Sequence, residues 1–310
     1  ARRGYLENPY HCFAHACDTL CATARILQQV QCHLFLEELD VYALLVAALC
    51  HDIGHPGRTN PFLVETSDAL ALRYNDRSPL ENLHCARLFD LLKEPARDVL
   101  RGLSREEYRR ARGVCIVAIL NTDNAQHFEL VKEVKKVFEV DSGACNAQAL
   151  EPEGPSGPYL TEVLCKNAPL WHKLFLHLAD IGNPLKPFYI YMIWAQRVMD
   201  EFFVQGDEEK RLGIPVGMLN DREKVSRPGS EHGFITFLAA PLVTSTTSVF
   251  PALGPLARQM TSNLESWRNL WVQQAAPSPE DVKKRDADVQ RIREQVELLI
   301  ARGQLPSKAR

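Results

Sequence analysis

Apolar residues recur along most of this chain at the spacing of one helix face, whereas strict alternation of apolar and polar residues is scarce. This pattern predicts an all-α protein. Prolines and polar residues at the ends of the periodic segments set the expected limits of the helices. The predicted helices run from Asp18 to Val30, Glu37 to Asp52, Leu80 to Leu92, Arg105 to Leu120, Gln126 to Phe138, Ala168 to Asp180, Phe188 to Val204, Ser230 to Phe250 and Pro279 to Arg302.

The segment from Asp141 to Pro158 is rich in glycine and proline, which predicts a surface loop. We find no internal repeat and no composition shift that marks a second domain. A length of 310 residues suits one large domain or two small ones. We expect one compact domain over residues 1–310, because the candidate metal ligands described below span residues 15 to 180. The start at Ala1 rather than Met suggests a domain excised from a longer protein.

Composition limits the classes of partner. With 36 basic and 39 acidic residues, the net charge of −3 offers no basic surface for nucleic acid. The longest apolar run, Val41 to Cys50, is far shorter than the roughly 20 residues of a membrane helix, so we expect no membrane segment and read the run as a buried helix. Nine cysteines without a Cys-x-x-Cys pair predict reduced core thiols in a cytoplasmic protein.

An adjacent His-Asp pair at the end of that apolar run is the strongest indication of function. His51 and Asp52 offer a neutral nitrogen and an anionic oxygen to one cation, and burying an unpartnered Asp is costly. His55 would share the helical face of His51 if the helix continued. Together with His15 upstream and Asp180 downstream, the pair makes a set of two imidazoles and two carboxylates, which suits Zn²⁺ and harder divalent ions.

A second metal ion is expected if Asp52 bridges two cations. Such an ion would have few protein ligands and would keep several waters, as Mg²⁺ and Mn²⁺ do. Two adjacent ions can convert a bridging water to hydroxide and stabilise charge on a phosphoryl oxygen. His11, about one helical turn before His15, is the candidate general acid, an effect worth roughly 10²–10⁴ in rate. The residues expected to hold waters or orient ligands are His55, Glu81, His84, Thr122 and Asp123.

These residues and their order resemble the class I cyclic nucleotide phosphodiesterase catalytic domain. The similarity extends from about residue 8 to residue 270, in order and at the family's spacing. The motifs that carry it are Asn8-Pro9-Tyr10-His11, His15, His51-Asp52-x-x-His55-x-x-x-x-Asn60, Leu80-Glu81-Asn82-x-His84, Thr122-Asp123-x-x-x-His127, Asp180-Ile181-Gly182-Asn183-Pro184 and Glu201-Phe202-Phe203-x-Gln205-Gly206-Asp207.

The resemblance implies an all-α domain of about sixteen helices, of the His-Asp metal phosphohydrolase type. It implies hydrolysis of 3′,5′-cyclic nucleotides, cAMP or cGMP, to nucleoside 5′-monophosphates, and it leaves dimerisation open. His11 would protonate the O3′ leaving group. Zn²⁺ would be held by His15, His51, Asp52 and Asp180, while Mg²⁺ or Mn²⁺ would share Asp52 and hold waters that face His55, Glu81 and Thr122.

The residues that would bind the base are Asn183, Val198, Glu231 and Phe234. Val198 and Phe234 match the two sides of the family's apolar clamp, and Asn183 matches a purine-contacting Asn. Glu231 departs from the family's Gln. An ionised Glu only accepts hydrogen bonds, so we expect weaker base affinity unless Glu231 is protonated. This departure leaves the choice between cAMP and cGMP undecided. Cys12 also departs from the family, which usually has Asn there.

Three other interpretations compete with this one. One is another nucleotide phosphohydrolase of the His-Asp superfamily, against which the ordered motifs after residue 70 argue. The second is a non-catalytic cyclic nucleotide-binding domain, but none of the four ligands or the candidate acid is missing. The third is a helical scaffold, which leaves two carboxylates at ligand positions unexplained.

Overall fold

A computed structural model of the chain describes residues 1–140, 155 and 157–304, and within these residues all regular structure is helical. The predicted all-α class is confirmed, and the described residues form fourteen α-helices, against about sixteen expected. The predicted loop at 141–158 lies almost entirely outside the described residues. The helices are α1 (Phe13–Gln29), α2 (Glu38–Cys50), α3 (Asn60–Glu65), α4 (Ala69–Arg73), α5 (Pro79–Leu92), α6 (Arg105–Leu120), α7 (His127–Val140), α8 (Gly157–Tyr159), α9 (Ala168–Asp180), α10 (Phe188–Leu212), α11 (Arg227–Phe234), α12 (Ala240–Val249), α13 (Gly254–Ala275) and α14 (Pro279–Gln304).

Several helices begin and end where local sequence signals place them. Helix α6 starts with a capping box, in which the Ser104 side chain and Glu107 each bond the other's backbone N–H. Helix α10 continues past its predicted end at Val204, until Gly213 adopts a left-handed φ of 69°. The predicted helix from Ser230 to Phe250 is instead α11 and α12, joined by the π-helical turns Ile235–Ala239.

Two helix limits differ from the prediction near the candidate ligands. Helix α1 begins at Phe13, so His15 lies in its first turn and His11 precedes the helix. Helix α2 ends at Cys50, and the turn that follows carries His51 and Asp52. Gly54 has a φ of 82°, which breaks the helix. The condition under which His55 would share the helical face of His51, a helix that continues to residue 55, is therefore not met.

Helix α2 lies at the centre of the main hydrophobic core, against α1, α6 and α9. Its side chains Ala43, Leu44, Ala47 and Ala48 are fully buried, and the alanines let neighbouring helices approach closely. Each large apolar side chain fully buried in such a core contributes about 1.5–3 kcal/mol. The packing fixes the ends of α1, α2 and α9 relative to one another, and those ends carry the candidate ligands.

No helix among the described residues combines the length and the apolarity needed to span a bilayer. The described cysteines are all free thiols. Cys50, Cys85 and Cys115 are buried as predicted, whereas Cys21 and Cys165 are exposed and so are not core thiols. A second, smaller apolar cluster of Phe62, Leu63, Ala71 and Leu80 supports α3, α4 and the start of α5.

Candidate active site

The four predicted ligands converge. One donor atom from each of His15, His51, Asp52 and Asp180 lies within 4.8 Å of the others. The Nε2 atoms of His15 and His51 lie 2.9 and 3.2 Å from Oδ1 of Asp180. His51 Nε2 is also 3.0 Å from Oδ2 of Asp52. Residues far apart in sequence thus point two nitrogens and two carboxylates at one small volume.

The packing of three helices explains this convergence. His15 lies in the first turn of α1, His51 and Asp52 follow the last residue of α2, and Asp180 is the last residue of α9. Two helix carboxyl ends therefore meet beside two aspartates. Since the carboxyl end of a helix carries partial negative charge, the site favours a cation.

Hydrogen bonding of the ring nitrogens provides a test of whether these residues fit a metal ion. The Nδ1 atom of His51 donates to the Ala48 carbonyl at 2.9 Å, so a neutral ring presents its Nε2 lone pair to the carboxylates. A ring nitrogen and a carboxylate oxygen that both present lone pairs, 2.9–3.2 Å apart, repel each other unless a proton or a cation lies between them. Oδ2 of Asp52 is buried and has no hydrogen-bond partner among the described residues. The donor set fits a divalent cation.

The charges in the cluster perturb one another strongly. Burial by itself lowers the pKa of His51, but the negative charges of Asp52 and Asp180 raise it well above its ordinary value. Burial also disfavours ionisation of Asp52, yet His51 beside it lowers the pKa of that carboxyl well below its usual range. The site is therefore one that holds ionised carboxylates and attracts positive charge.

His11 lies beside the cluster, and Glu201 holds it. The Nδ1 atom of His11 makes a short hydrogen bond to Oε1 of Glu201. The other Glu201 oxygen accepts the backbone N–H groups of Tyr10 and His11 at 2.9 and 3.1 Å. Burial lowers the pKa of His11, but the bond to Glu201 and the charge of Asp52 raise it above its ordinary value overall. The His11 side chain is 23% exposed, against 1% for His15 and 0% for His51, so a substrate can reach it.

The predicted surrounding residues lie around Asp52 and His11. His55 stacks on the His11 ring with centroids 3.9 Å apart, and its Nδ1 accepts the Gly57 N–H, so a neutral His55 ring carries its proton on Nε2. His84 donates from Nδ1 to the Ile53 carbonyl and places Nε2 3.8 Å from Asp52. His55 and His84 can each bring a nitrogen within 4.8 Å of Asp52.

Glu81 lies within electrostatic range of Asp123 and Asp52, and Thr122 directly precedes Asp123. Glu81 is buried, accepts a hydrogen bond from Asn60, and has a pKa raised to about 7 by burial and by the nearby charge of Asp123. Asp123 accepts the Ser78 hydroxyl at 2.7 Å. The Thr122 hydroxyl donates to the Ile119 carbonyl at 2.8 Å, which leaves its lone pairs available to accept.

Two neighbouring helices carry three of the four predicted base-binding residues, Val198, Glu231 and Phe234. Tyr191 and Val198 lie seven residues apart on one face of α10, while Glu231 and Phe234 lie three apart on α11. The Tyr191 hydroxyl donates to Oε2 of Glu231 at 2.6 Å and joins the two faces. Burial raises the pKa of Glu231 to about 7, although the Tyr191 bond lowers it. Val198 and Phe234 are half-buried.

Asn183 is engaged within the protein. Its Nδ2 atom donates to the Tyr10 hydroxyl at 2.8 Å, and its Oδ1 atom accepts from Lys186 at 2.9 Å. The Tyr10 ring lies against His15, with centroids 4.5 Å apart. Asn183 thus fixes an aromatic ring behind a candidate ligand in addition to any contact with a base.

Sequence reasoning did not assign Glu201, Tyr10 or Tyr191 to the site. Glu201 lies in the Glu201-Phe202-Phe203 motif and Tyr10 directly precedes His11, so both stand in segments that carry the family resemblance. Tyr191 gives no such signal, because its role depends on the packing of α10 against α11.

Comparisons with known proteins agree with this geometry. The family model described as 3′,5′-cyclic nucleotide phosphodiesterase matches residues 10–260. A 3′,5′-cyclic-AMP phosphodiesterase of Drosophila melanogaster, isoform F, is 32% identical over 88% of this chain and 39% of its own length. The high affinity cGMP-specific 3′,5′-cyclic phosphodiesterase 9A of Mus musculus is 32% identical over 80% of this chain and 43% of its own length.

The fold is shared as well. The crystal structure of the phosphodiesterase domain of the RhoPDE fusion protein from Salpingoeca rosetta superposes with a TM-score of 0.80, at 31% identity, over 89% of this chain and 82% of that chain. This chain spans less than half the length of the two curated relatives named above. The family model over residues 10–260, the identity with curated relatives and the shared fold show that the chain belongs to the 3′,5′-cyclic nucleotide phosphodiesterase family.

Proposed function

We propose that this chain is a catalytic domain that hydrolyses 3′,5′-cyclic nucleotides to nucleoside 5′-monophosphates. The observation that carries the proposal is the convergence of His15, His51, Asp52 and Asp180 beside a histidine that Glu201 holds. The His11 imidazole is exposed to a substrate, has a raised pKa and lies next to the proposed cation site, an arrangement that is typical of a catalytic acid and that ligand binding alone does not require.

Zn²⁺ is proposed to bind His15, His51, Asp52 and Asp180. Mg²⁺ or Mn²⁺ is proposed to share Asp52, with waters that face His55, Glu81 and Thr122, while His84 and Asp123 orient these groups. When bound, the two ions supply an activated water and neutralise charge on the phosphoryl group. The donor types suit these ions, because imidazole and carboxylate bind Zn²⁺ and oxygen-rich surroundings suit Mg²⁺.

His11 is proposed to give its proton to O3′ as that oxygen leaves phosphorus. Glu201 occupies Nδ1, so Nε2 is the ring atom left to act as the donor. The raised pKa of His11 favours the protonated ring, and the bond to Glu201 stabilises the imidazolium. Tyr10 and Asn183 limit movement of the neighbouring His15 ring.

The base is proposed to bind between Val198 and Phe234, within reach of Glu231 and Asn183. A carboxyl group with a pKa of about 7 is largely neutral below pH 7 and then offers a donor and an acceptor, as an amide does. The relatives include enzymes named for cAMP and for cGMP, so the preferred base stays open. The cytoplasmic location, dimerisation and the single-domain organisation also stay predictions.

The test is hydrolysis of cAMP and cGMP by the purified chain, with chromatographic identification of the product and metal analysis of the same sample. We expect 5′-monophosphates, bound zinc, and loss of turnover on chelation that Zn²⁺ with Mg²⁺ or Mn²⁺ restores. Metal-loaded protein that binds cyclic nucleotide without hydrolysing it would overturn the proposal. Hydrolysis of non-cyclic nucleotides alone would favour the wider superfamily instead.

A further inference from the structure

Helix α10 presents a stripe of buried polar side chains to the protein interior. Glu201, Gln205 and Glu209 are spaced four residues apart and so share one helix face. Each is only 3–4% exposed. Glu201 holds His11, as described above, and the other two side chains have no role in the proposed chemistry. Burying polar groups is costly unless their partners are specific, so their contacts indicate what they do.

Gln205 holds Thr59, the residue directly before α3. Its Oε1 atom accepts the Thr59 backbone N–H at 2.9 Å, and its Nε2 atom donates to the Thr59 hydroxyl at 3.1 Å. Glu209 accepts from the same Nε2 atom at 2.7 Å. Because an ionised carboxylate only accepts, Glu209 fixes which end of the Gln205 amide faces Thr59. The remaining capacity of Glu209 is filled by Asn220 and by the Gly217 N–H.

Asn60 directly follows Thr59, and its side chain contacts Glu81. The Asn60 Nδ2 atom donates to Oε2 of Glu81 at 2.9 Å. Its Oδ1 atom accepts the Leu80 N–H at 3.0 Å, in the first turn of α5. Asn60 therefore holds both the carboxylate of Glu81 and the helix turn that carries it. An uninterrupted path of hydrogen bonds and one peptide link runs from Glu209 through Gln205, Thr59 and Asn60 to Glu81.

We propose that Gln205 and Glu209 are positioning residues that set the orientation of the Glu81 carboxylate, and thereby the affinity of the site for its second divalent cation. The inference rests on the proposed function, since it takes Glu81 to face that cation. The same helix then positions two separate parts of the site, because Glu201 orients His11 four residues before Gln205. Outer contacts of this kind are worth about 10–100-fold in metal affinity.

The experiment measures Mn²⁺ binding directly, without substrate, by the electron paramagnetic resonance signal of free Mn²⁺ in a titration of zinc-loaded protein. Gln205→Ala should weaken Mn²⁺ binding by about 10–100-fold while zinc content stays at the wild-type level. Gln196→Ala is the matched control, because it removes an exposed glutamine from the same helix. That control should leave Mn²⁺ affinity unchanged.

A double-mutant cycle separates positioning from a general loss of packing. If Gln205 acts through Asn60, Gln205→Ala should add little to the loss already caused by Asn60→Ala. Additive losses, or unchanged Mn²⁺ affinity in Gln205→Ala, would overturn the inference. So would a wild-type protein that binds no Mn²⁺ beside its zinc.

Glu209→Gln repeats the test should Gln205→Ala not fold. This isosteric change leaves one acceptor oxygen where the carboxylate has two, and its NH2 group must face a donor among Gln205, Asn220 and the Gly217 N–H. The Gln205 amide is then held less firmly, so Mn²⁺ affinity should fall in the same direction and again be non-additive with Asn60→Ala. An unchanged affinity would count against the inference. Because no turnover is measured, a protein that binds Mn²⁺ normally but hydrolyses no cyclic nucleotide would refute the proposed function and leave this test readable.

Discussion

Replacing Glu231 by Gln should tighten substrate binding above pH 7 and remove a pH dependence that the wild-type chain carries. In the structure Glu231 is 5% exposed and receives one hydrogen bond, from the Tyr191 hydroxyl. Burial raises the pKa of its carboxyl to about 7. The neutral acid can both donate to a purine and accept from it, whereas the carboxylate can only accept.

The size of the effect follows from that pKa. If the base binds only the neutral acid, the apparent KM is inversely proportional to the neutral fraction of Glu231, and so is about tenfold higher at pH 8 than at pH 6. That ratio corresponds to about 1.4 kcal/mol of binding free energy. Gln has no such titration, so the ratio of wild-type KM to variant KM should rise about tenfold over the same interval.

The assay is initial-rate kinetics of the two proteins on cAMP and on cGMP at pH 6, 7 and 8. Taking the ratio at each pH cancels the titration of His11 and of the metal ligands, which both proteins share. The main effect should fall on KM, because the base lies away from the reacting phosphate. A KM ratio that stays constant with pH, or a variant that binds less tightly at pH 8, would refute the assignment of Glu231.

Other changes give equally definite expectations. Asp180→Ala should remove bound zinc and activity while circular dichroism shows helix content largely kept; full activity would contradict the ligand assignment. His11→Asn should lower kcat by roughly 10²–10⁴ with metal content unchanged, and an unaltered rate would mean another acid. Glu201→Gln should also lower kcat, by a smaller factor than His11→Asn, because it weakens the hold on Nδ1 without removing the ring; a KM effect alone would argue against that role. Finally, because the pKa of Glu231 is raised from 4.5 to about 7 on folding, its contribution to stability is fully present below pH 4.5 and is lost as the pH rises through 7. The free energy of unfolding of Glu231→Gln, measured by thermal unfolding, should therefore rise relative to the wild type between pH 5 and pH 8 by about 2.5 kcal/mol, and a difference that does not change with pH would refute this.

Local sequence signals predicted much of the helical structure. Helices α6 and α9 begin and end at the expected residues, since a capping Ser104 and prolines mark their limits. The prediction failed at the end of α2, where apolar periodicity continues into His51 but the helix does not. The left-handed Gly54 turn decides that point, and a glycine in a sequence does not disclose its φ.

Residue types and their spacing by themselves predicted four side chains that converge and a histidine beside them, because imidazoles and carboxylates in this order suit a divalent cation. Tertiary structure decided what those residues touch. The contacts of Glu201 with His11, of Tyr191 with Glu231 and of Gln205 with Thr59 join residues 40 to 190 positions apart, and no local pattern specifies them. Burial is equally a property of the packed chain. It makes Glu231 a group that titrates near pH 7, which no reading of its neighbours in sequence could establish.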